Sequence, residues 1–316
     1  MELVTFGEAM AQLVPQSGNA TDATDFAVHV AGAESNVAVG FARLQGSAAW
    51  VSRVGDDPFG RRVMARLAAE GVDTAAVNVD RERPTGCFLK DVTGSKRPVT
   101  YYRAGSAASV MSISDVKRAL DLAPAMFHTS GVTAALSESC TASLRHVMAT
   151  ASNAGIELSF DVNYRPRLWR NRAAAAIVIR DLAAAADVLF VGRDEAEELW
   201  GLSTAEQIRT AFAEVRTVVV KDGAVAATAF RDRLSFTVPA PPVDVVEPVG
   251  AGDAFAAGFL RAYLEGWSLE GALKLGHALA GVALRSIDDH GDGTAAAACW
   301  TQSSLYREAA GDHSQA

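Results

Sequence analysis

The chain has 316 residues, 49% of them hydrophobic and 21% charged, with a formal net charge of −8. That length suits one large α/β domain or two smaller ones, and the composition is that of an ordinary globular protein. The acidic balance lacks the basic footprint of a nucleic-acid binder, and no apolar run approaches the ~20 residues of a membrane span.

The opening segment, "MELVTFGEAM", carries acids where a signal peptide needs basic residues, which predicts a cytoplasmic protein. Its "LVTF" reads as a buried strand stopped by Gly7. "ESNVAVGFARLQ" puts Val37, Phe41 and Leu44 on one helical face, and "AAWVSRV" follows as a strand. Asp57 and Pro58 are an N-cap and first helical residue for "PFGRRVMARLAAEG", with Gly71 as its stop. Later segments repeat the rhythm. "AMFHTSG", "IELSFDVN", "DVLFV" and "TVVVKDG" read as strands. Between them lie helices in "SESCTASLRHVMATASNAG", from about Asn171 to Ala186, in "DEAEELWG" and over Thr204 to Ala213. Strands separated by helices predict a doubly wound, mostly parallel sheet covered on both faces.

Two stretches break this rhythm, around residues 11–31 and 85–104, and both have hairpin character. The second has β formers on either side of Thr93-Gly94-Ser95. They fit a small β lid inserted in a domain of residues 1–300, or a plain edge hairpin. Beyond Trp300 the sequence turns polar and aperiodic, so residues 301–316 are expected to be a flexible tail. Cys87, Cys140 and Cys299 have no metal-ligand spacing and read as reduced thiols.

The chemistry concentrates in "PVGAGDAFAAGF", Pro248 to Phe259. Gly250, Ala251 and Gly252 let the backbone approach a ligand, and a helix begins directly afterwards. Its unbonded amides and positive dipole end suit an anion. Asp253 reads either as a carboxylate compensating that dipole or as a base taking a proton from a hydroxyl that attacks a phosphoryl group. Phe255, Phe259 and Tyr263 form a core stripe. The chain has no G-x-x-x-x-G-K-[ST] loop, no protein-kinase motif set and no dinucleotide glycine fingerprint.

"VGAGDAFAAGF" together with "AGAESNVAVGFARLQGSAAWVSRVGDDPFG" resembles the two signatures of the ribokinase-like (PfkB) carbohydrate kinases, over roughly Leu3 to Asp292. "GEAM", "VTYYRAGSAAS" and "FDVNYRPRLW" are most similar to 2-keto-3-deoxygluconate kinases within that family. The resemblance implies ATP and Mg²⁺ as cofactors and transfer of the γ-phosphoryl group to the 6-hydroxyl of a sugar acid. It makes Asp253 the general base and Gly250, Ala251 and Gly252 the anion hole. Gly32 and Asn36 would hold the sugar, Tyr101 and Arg103 would reach it from the lid, and Arg165 would serve both substrate and phosphate. Asn163, Lys221, Gly223 and His277 fall on the nucleotide side, and Glu195 would order water around magnesium.

The chemistry of these positions agrees. "TYYR" places Tyr101 and Arg103 on one strand face, and arginine's planar fork suits a carboxylate. A surface arginine on a polar strand is the bland alternative, and His277 reads equally as a helix-face histidine. The chain departs from the family pattern at Glu247, where an aspartate tied to a monovalent-cation site is usual, which leaves that cation requirement open. Gly192 replaces an asparagine, and Gln45 replaces a glycine at a helix end. A fructokinase or other neutral-sugar kinase, and a catalytically silent sensor of the same fold, remain as alternatives. The expected partners are a small sugar acid and ATP, with a homo-oligomer through the lid left open.

Overall fold

The computed structural model describes residues 1–91, 99–286 and 291–307, with side chains through residue 302. Fourteen strands occur among them. β1 (Leu3–Phe6), β2 (Met10–Pro15), β3 (Phe26–Ala31), β4 (Ala48–Val51), β5 (Arg53–Gly55), β6 (Asn78–Asp80), β7 (Cys87–Lys90) and β8 (Val99–Tyr102) come first. β9 (Met126–Ser130), β10 (Glu157–Asp161), β11 (Val188–Gly192), β12 (Thr217–Asp222), β13 (Ala226–Arg231) and β14 (Leu234–Pro239) follow. The helices are α1 (Ala33–Arg43), α2 (Pro58–Ala69), α3 (Ile113–Asp121), α4 (Gly131–Ala134), α5 (Glu138–Thr150), α6 (Arg172–Ala184) and α7 (Arg193–Trp200). α8 (Ala205–Ala211), α9 (Ala251–Leu264), α10 (Leu269–Leu284) and α11 (Gly293–Arg307) complete the set.

The main sheet has eight strands in the order β14-β13-β12-β11-β10-β9-β1-β4. It is parallel from β4 to β12 and ends in an antiparallel β12-β13-β14 edge. Consecutive residues of each strand point to opposite faces, and the core divides accordingly. Leu3, Trp50, Phe190 and Val219 pack with α1, α2, α9 and α10. Val4, Phe6, Val51, Leu189, Val191, Val218 and Val220 pack with α3, α5, α6, α7 and α8. Burial on both faces is why these strands read as short unbroken apolar runs. Asp57 caps α2 as expected, its Oδ1 accepting from the Gly60 amide at 2.7 Å.

A separate four-stranded sheet, in the order β3-β2-β7-β8, forms the lid. β2 joins β7 in parallel, and the outer pairs are antiparallel. Both inserted stretches therefore supply a hairpin-like pair to one sheet. The Thr93-Gly94-Ser95 turn lies outside the described residues.

Three features differ from the sequence expectation or extend it. The β13–β14 hairpin carries no Asn-Gly or Asp-Gly signal: its two-residue turn is Asp232-Arg233, with Asp232 at φ 55°. The tail does not start at residue 301, because α11 continues to Arg307. Trp300 anchors it, stacking on Trp267 at 5.4 Å with the Arg261 guanidinium 4.4 Å from its ring centre. Residues 308–316 lie outside the described set. Gln45, at the exit of α1, takes a left-handed φ of 62°, the conformation that glycine adopts without strain.

Candidate active site

A cleft of about 850 Å³ opens between the lid and the carboxyl ends of the parallel strands. Ligands of open α/β sheets collect at that end. The volume is within the usual range for small-molecule sites. Gly32, Asn36, Tyr101, Arg103, Asn163, Arg165, Glu195, Lys221, Gly223, Gly250, Gly252 and Asp253 all line it. Sequence positions scattered from the first helix to the ninth thus meet on one surface.

Asp253 stands at the third position of α9. Its Oδ2 accepts from Asn36 Nδ2 at 2.8 Å, and its Oδ1 accepts from Asn163 Nδ2 at 3.4 Å. Burial pushes its pKa up to about 7, against the lowering effect of the Asn36 bond; Asp161 adds to the rise while Arg165 and Lys221 oppose it. The carboxyl group therefore titrates where a base must work at neutral pH. The helix N-cap is Gly250 at φ 83°, with no side-chain cap, so the first-turn amides remain for a ligand or solvent. Ala251 is the first helical residue between the two glycines.

Toward the lid, Gly32 precedes α1, and the Asn36 backbone amide donates back to the Gly32 carbonyl at 2.8 Å. A Cβ at Gly32 would fall 2.2 Å from the Glu8 carbonyl oxygen, so only glycine allows this approach. From the lid, Tyr101 packs on Phe88, with Arg103 5.7 Å from the Tyr101 ring centre. Tyr101 and Arg103 line the cleft, as their alternation implies. Arg103 forms an ion pair with the buried Glu8, whose other oxygen accepts from Ser106 Oγ. The Arg103 Nε is buried without a hydrogen-bond partner.

On the other side, Lys221 donates to Asp161 Oδ2 at 2.7 Å. Burial works against its charge, but Asp161 and Glu195 outweigh it and raise its pKa, so it stays an ammonium. A Cβ at Gly252 would stand 3.6 Å from that nitrogen, which places the cation beside the helix start. Asn163, two residues beyond the end of β10, is held at φ 37°. Glu195 accepts from the backbone amides of Tyr164 and Gly192, each at 2.9 Å, with Arg165 at 3.7 Å. Burial first, and Asp161 second, raise its pKa. A Cβ at Gly192 would lie 2.7 Å from Asp194 Oδ1 and 2.9 Å from Glu195 Oε2. The absent asparagine side chain is thus linked to the way Glu195 folds back on its own helix start.

Among the described residues no cluster of three His, Cys, Asp or Glu side chains is set up to hold a metal directly. Asp161, Glu195 and the unpartnered Asn163 Oδ1 instead offer oxygen atoms suited to the water shell of a phosphate-bound divalent ion.

His277 does not line this cleft. Its Nε2 lies 3.0 Å from the Val238 carbonyl oxygen and its ring packs edge-on against Phe255, so that nitrogen is already engaged. Two site groups escaped the sequence reading. Asp161 sits inside the quoted "FDVNYR", but only the partnership with Lys221 reveals it. Glu8 sits in "GEAM", and its signal is the arginine it meets across the lid. Among the described residues no helix is long and apolar enough to cross a membrane.

Comparison with known proteins identifies the family. The pfkB family carbohydrate kinase model matches residues 1–292. The 2-dehydro-3-deoxygluconokinase of Bacillus subtilis (strain 168) is 36% identical over 297 residues, covering 92% of this chain and 91% of that protein. The 2-dehydro-3-deoxygalactonokinase of Haloferax volcanii is 35% identical over 299 residues, covering 92% of each. The crystal structure of a PfkB protein from Polaromonas sp. JS666 superposes with a TM-score of 0.84 at 36% identity, covering 93% of this chain and 98% of that one. With the family model matching residues 1–292 and relatives more than 30% identical over most of the chain, the chain belongs to the pfkB family of carbohydrate kinases.

Proposed function

We propose that the protein transfers the γ-phosphoryl group of ATP to the 6-hydroxyl of 2-dehydro-3-deoxy-D-gluconate. The observation that carries the chemistry is Asp253, a carboxylate with a pKa of about 7 at the start of an uncapped helix. As the hydroxyl oxygen bonds to phosphorus, the bond to the ADP oxygen breaks and the proton passes to Asp253. The amides of Gly250, Ala251, Gly252 and Asp253 face the charge that develops on the moving group, and Arg165 adds a mobile cation. Asn36 orients the base from the sugar side, and Asn163 orients it from the nucleotide side. Lys221 and Gly223 receive the nucleotide phosphates. A bound Mg²⁺ would neutralise charge on those phosphates, with Glu195 and Asn163 Oδ1 holding its water shell. Lid closure would keep water from competing as the acceptor.

The acid substrate is favoured by Arg103, a largely buried guanidinium on the lid that pairs with Glu8 and keeps an unpartnered Nε. That free donor suits a carboxylate better than a neutral hydroxyl. The similarity to both a gluconate-type and a galactonate-type kinase supports the keto-acid class and makes the choice of epimer a matter for assay. Measuring kcat/KM for 2-dehydro-3-deoxygluconate, its galactonate epimer and fructose tests the reading. A higher value for fructose than for either acid would overturn the substrate class. A wild-type protein that phosphorylates nothing in that panel, matched by an identical Asp253→Asn variant, would leave the silent sensor standing instead.

A further inference from the structure

Glu247 precedes the glycine turn and is buried, yet it does not line the cleft. Its Oε2 lies 3.1 Å from the ammonium of Lys90, and the two side chains are only 4% and 2% exposed. Lys90 is the last residue of β7, so it belongs to the lid sheet. Phe88, two residues earlier on the same strand face, lines the cleft. The pair therefore bridges lid and body. The Glu247 Oε1 accepts from the Val249 amide at 3.2 Å, inside the turn itself. The Val246 and Glu247 amides donate to the Leu284 carbonyl, at 2.8 and 3.2 Å, which fixes this segment to the end of α10. A continuous path runs from the Lys90 ammonium through one carboxylate to the backbone that leads into Gly250.

We infer that Lys90 is a positioning residue, a covalently attached cation that holds Glu247 and through it the anion-binding turn of α9. A buried carboxylate needs a countercharge, and removing one partner of such a pair leaves an uncompensated charge in a poorly solvated place. In this chain the lysine supplies that charge from the lid strand, so the turn keeps its shape without a free ion. The inference rests on the phosphoryl-transfer reading of the Gly250–Asp253 turn. It predicts that turnover does not depend on which monovalent cation the buffer contains.

The test compares wild type, Lys90→Met and Lys90→Arg in choline, Na⁺, K⁺ and NH₄⁺ chlorides at equal ionic strength. Both kcat and melting temperature are read, with the best sugar of the panel above as acceptor. Wild type and Lys90→Arg should give one rate and one melting temperature in all four salts. Lys90→Met in choline should lose kcat by on the order of 10- to 100-fold through a misplaced turn, with little change in either KM. K⁺ or NH₄⁺ should restore part of its kcat and raise its melting temperature, by entering beside Glu247. A wild type that needs K⁺ overturns the inference, as does a fully active Lys90→Met in choline or a folded one that no cation rescues. If Lys90→Met does not fold, the double variant Lys90→Met/Glu247→Gln removes the stranded charge. It should fold, remain slow and ignore cations; full activity would overturn the inference. The melting-temperature arm needs no turnover, so an inactive wild type would count against the phosphoryl-transfer reading and leave this one still decided by cation-dependent stability.

Discussion

The two walls of the cleft are built on different foundations. The wall proposed for the phosphates is formed by Asp161, Asn163, Lys221 and Gly250–Asp253. It grows from β10 and β12, which flank β11 in the parallel sheet, and from α9, all set on the two large core clusters. The wall proposed for the sugar, with Tyr101 and Arg103, hangs on a lid whose separate apolar cluster among the described residues is only Met10, Ala31 and Phe88 with Val99 beside it, although Ala11, Val14 and Val30 are buried as well, Val30 in the main core. Elements with few buried apolar contacts sit at the low end of local stability and can move. On the proposed reading, the reacting groups stand on the rigid layer and the groups that sort substrates stand on the adjustable one. Substitutions on the first wall should cost chemistry for every substrate; those on the second should cost discrimination.

The sharpest separation comes from Asp253→Asn. It keeps the shape and the Asn36 partner but cannot accept a proton, so kcat should fall on the order of 100- to 10,000-fold for every sugar accepted. Steady-state assays over the sugar panel check this. A loss confined to acid sugars would move Asp253 to the specificity wall and break the comparison. Arg103→Ala is the counterpart on the lid. Losing a charged hydrogen-bonding partner costs about 1.5–3 kcal/mol, so kcat/KM for the keto-acid should drop roughly 10- to 150-fold. Fructose turnover should barely change. Equal losses on both substrates would show that Arg103 mainly holds Glu8 and the lid in place.

How much of each wall was legible follows from the same contrast. The glycine turn and Asp253 are contiguous and precede a helix, so local physics exposes them. Tyr101 and Arg103 could be set on one face by strand alternation alone. The partnerships were not legible, because they join residues far apart in the chain. Asp161 and Lys221 are separated by 60 positions, Glu8 and Ser106 by 98, and Asn36 and Asp253 by 217. Lys90 drew no reading of its own, since nothing in "CFLK" says that a carboxylate waits opposite it. His277 was open for a related reason. The sequence does not say which neighbours meet its ring, and here Phe255 and the Val238 carbonyl do. The β13–β14 edge escaped because its turn lacks glycine and β13 begins with two low-propensity alanines.

The pH dependence sharpens the phosphate wall further. With Asp253 titrating at about 7, the active, ionised form is lost as pH falls. On the acid side kcat/KM should decrease ~tenfold per pH unit below an apparent pKa near 7, and level off above it. Initial rates between pH 5 and 9 check this, and an acid limb near the ordinary carboxylate range would remove the burial argument.

The smallest effect is on stability, and its sign is opposite to the effect on rate. Burial raises the folded-state pKa of Asp253 above its unfolded value, so folding favours the protonated form. Below the unfolded value, near 3.9, the group is neutral in both states and carries no ionisation penalty. As pH rises through the folded value of about 7, the folded protein must hold a poorly solvated charge, and that stability is lost. Asp253→Asn never ionises. It should therefore melt a few degrees higher than wild type at pH 8.5, with the gap shrinking between pH 7 and 4. Scanning calorimetry across that range decides it. A gap that does not change with pH would mean the asparagine acts through packing or hydrogen bonding, and that the carboxylate stores no electrostatic strain in the body of the site.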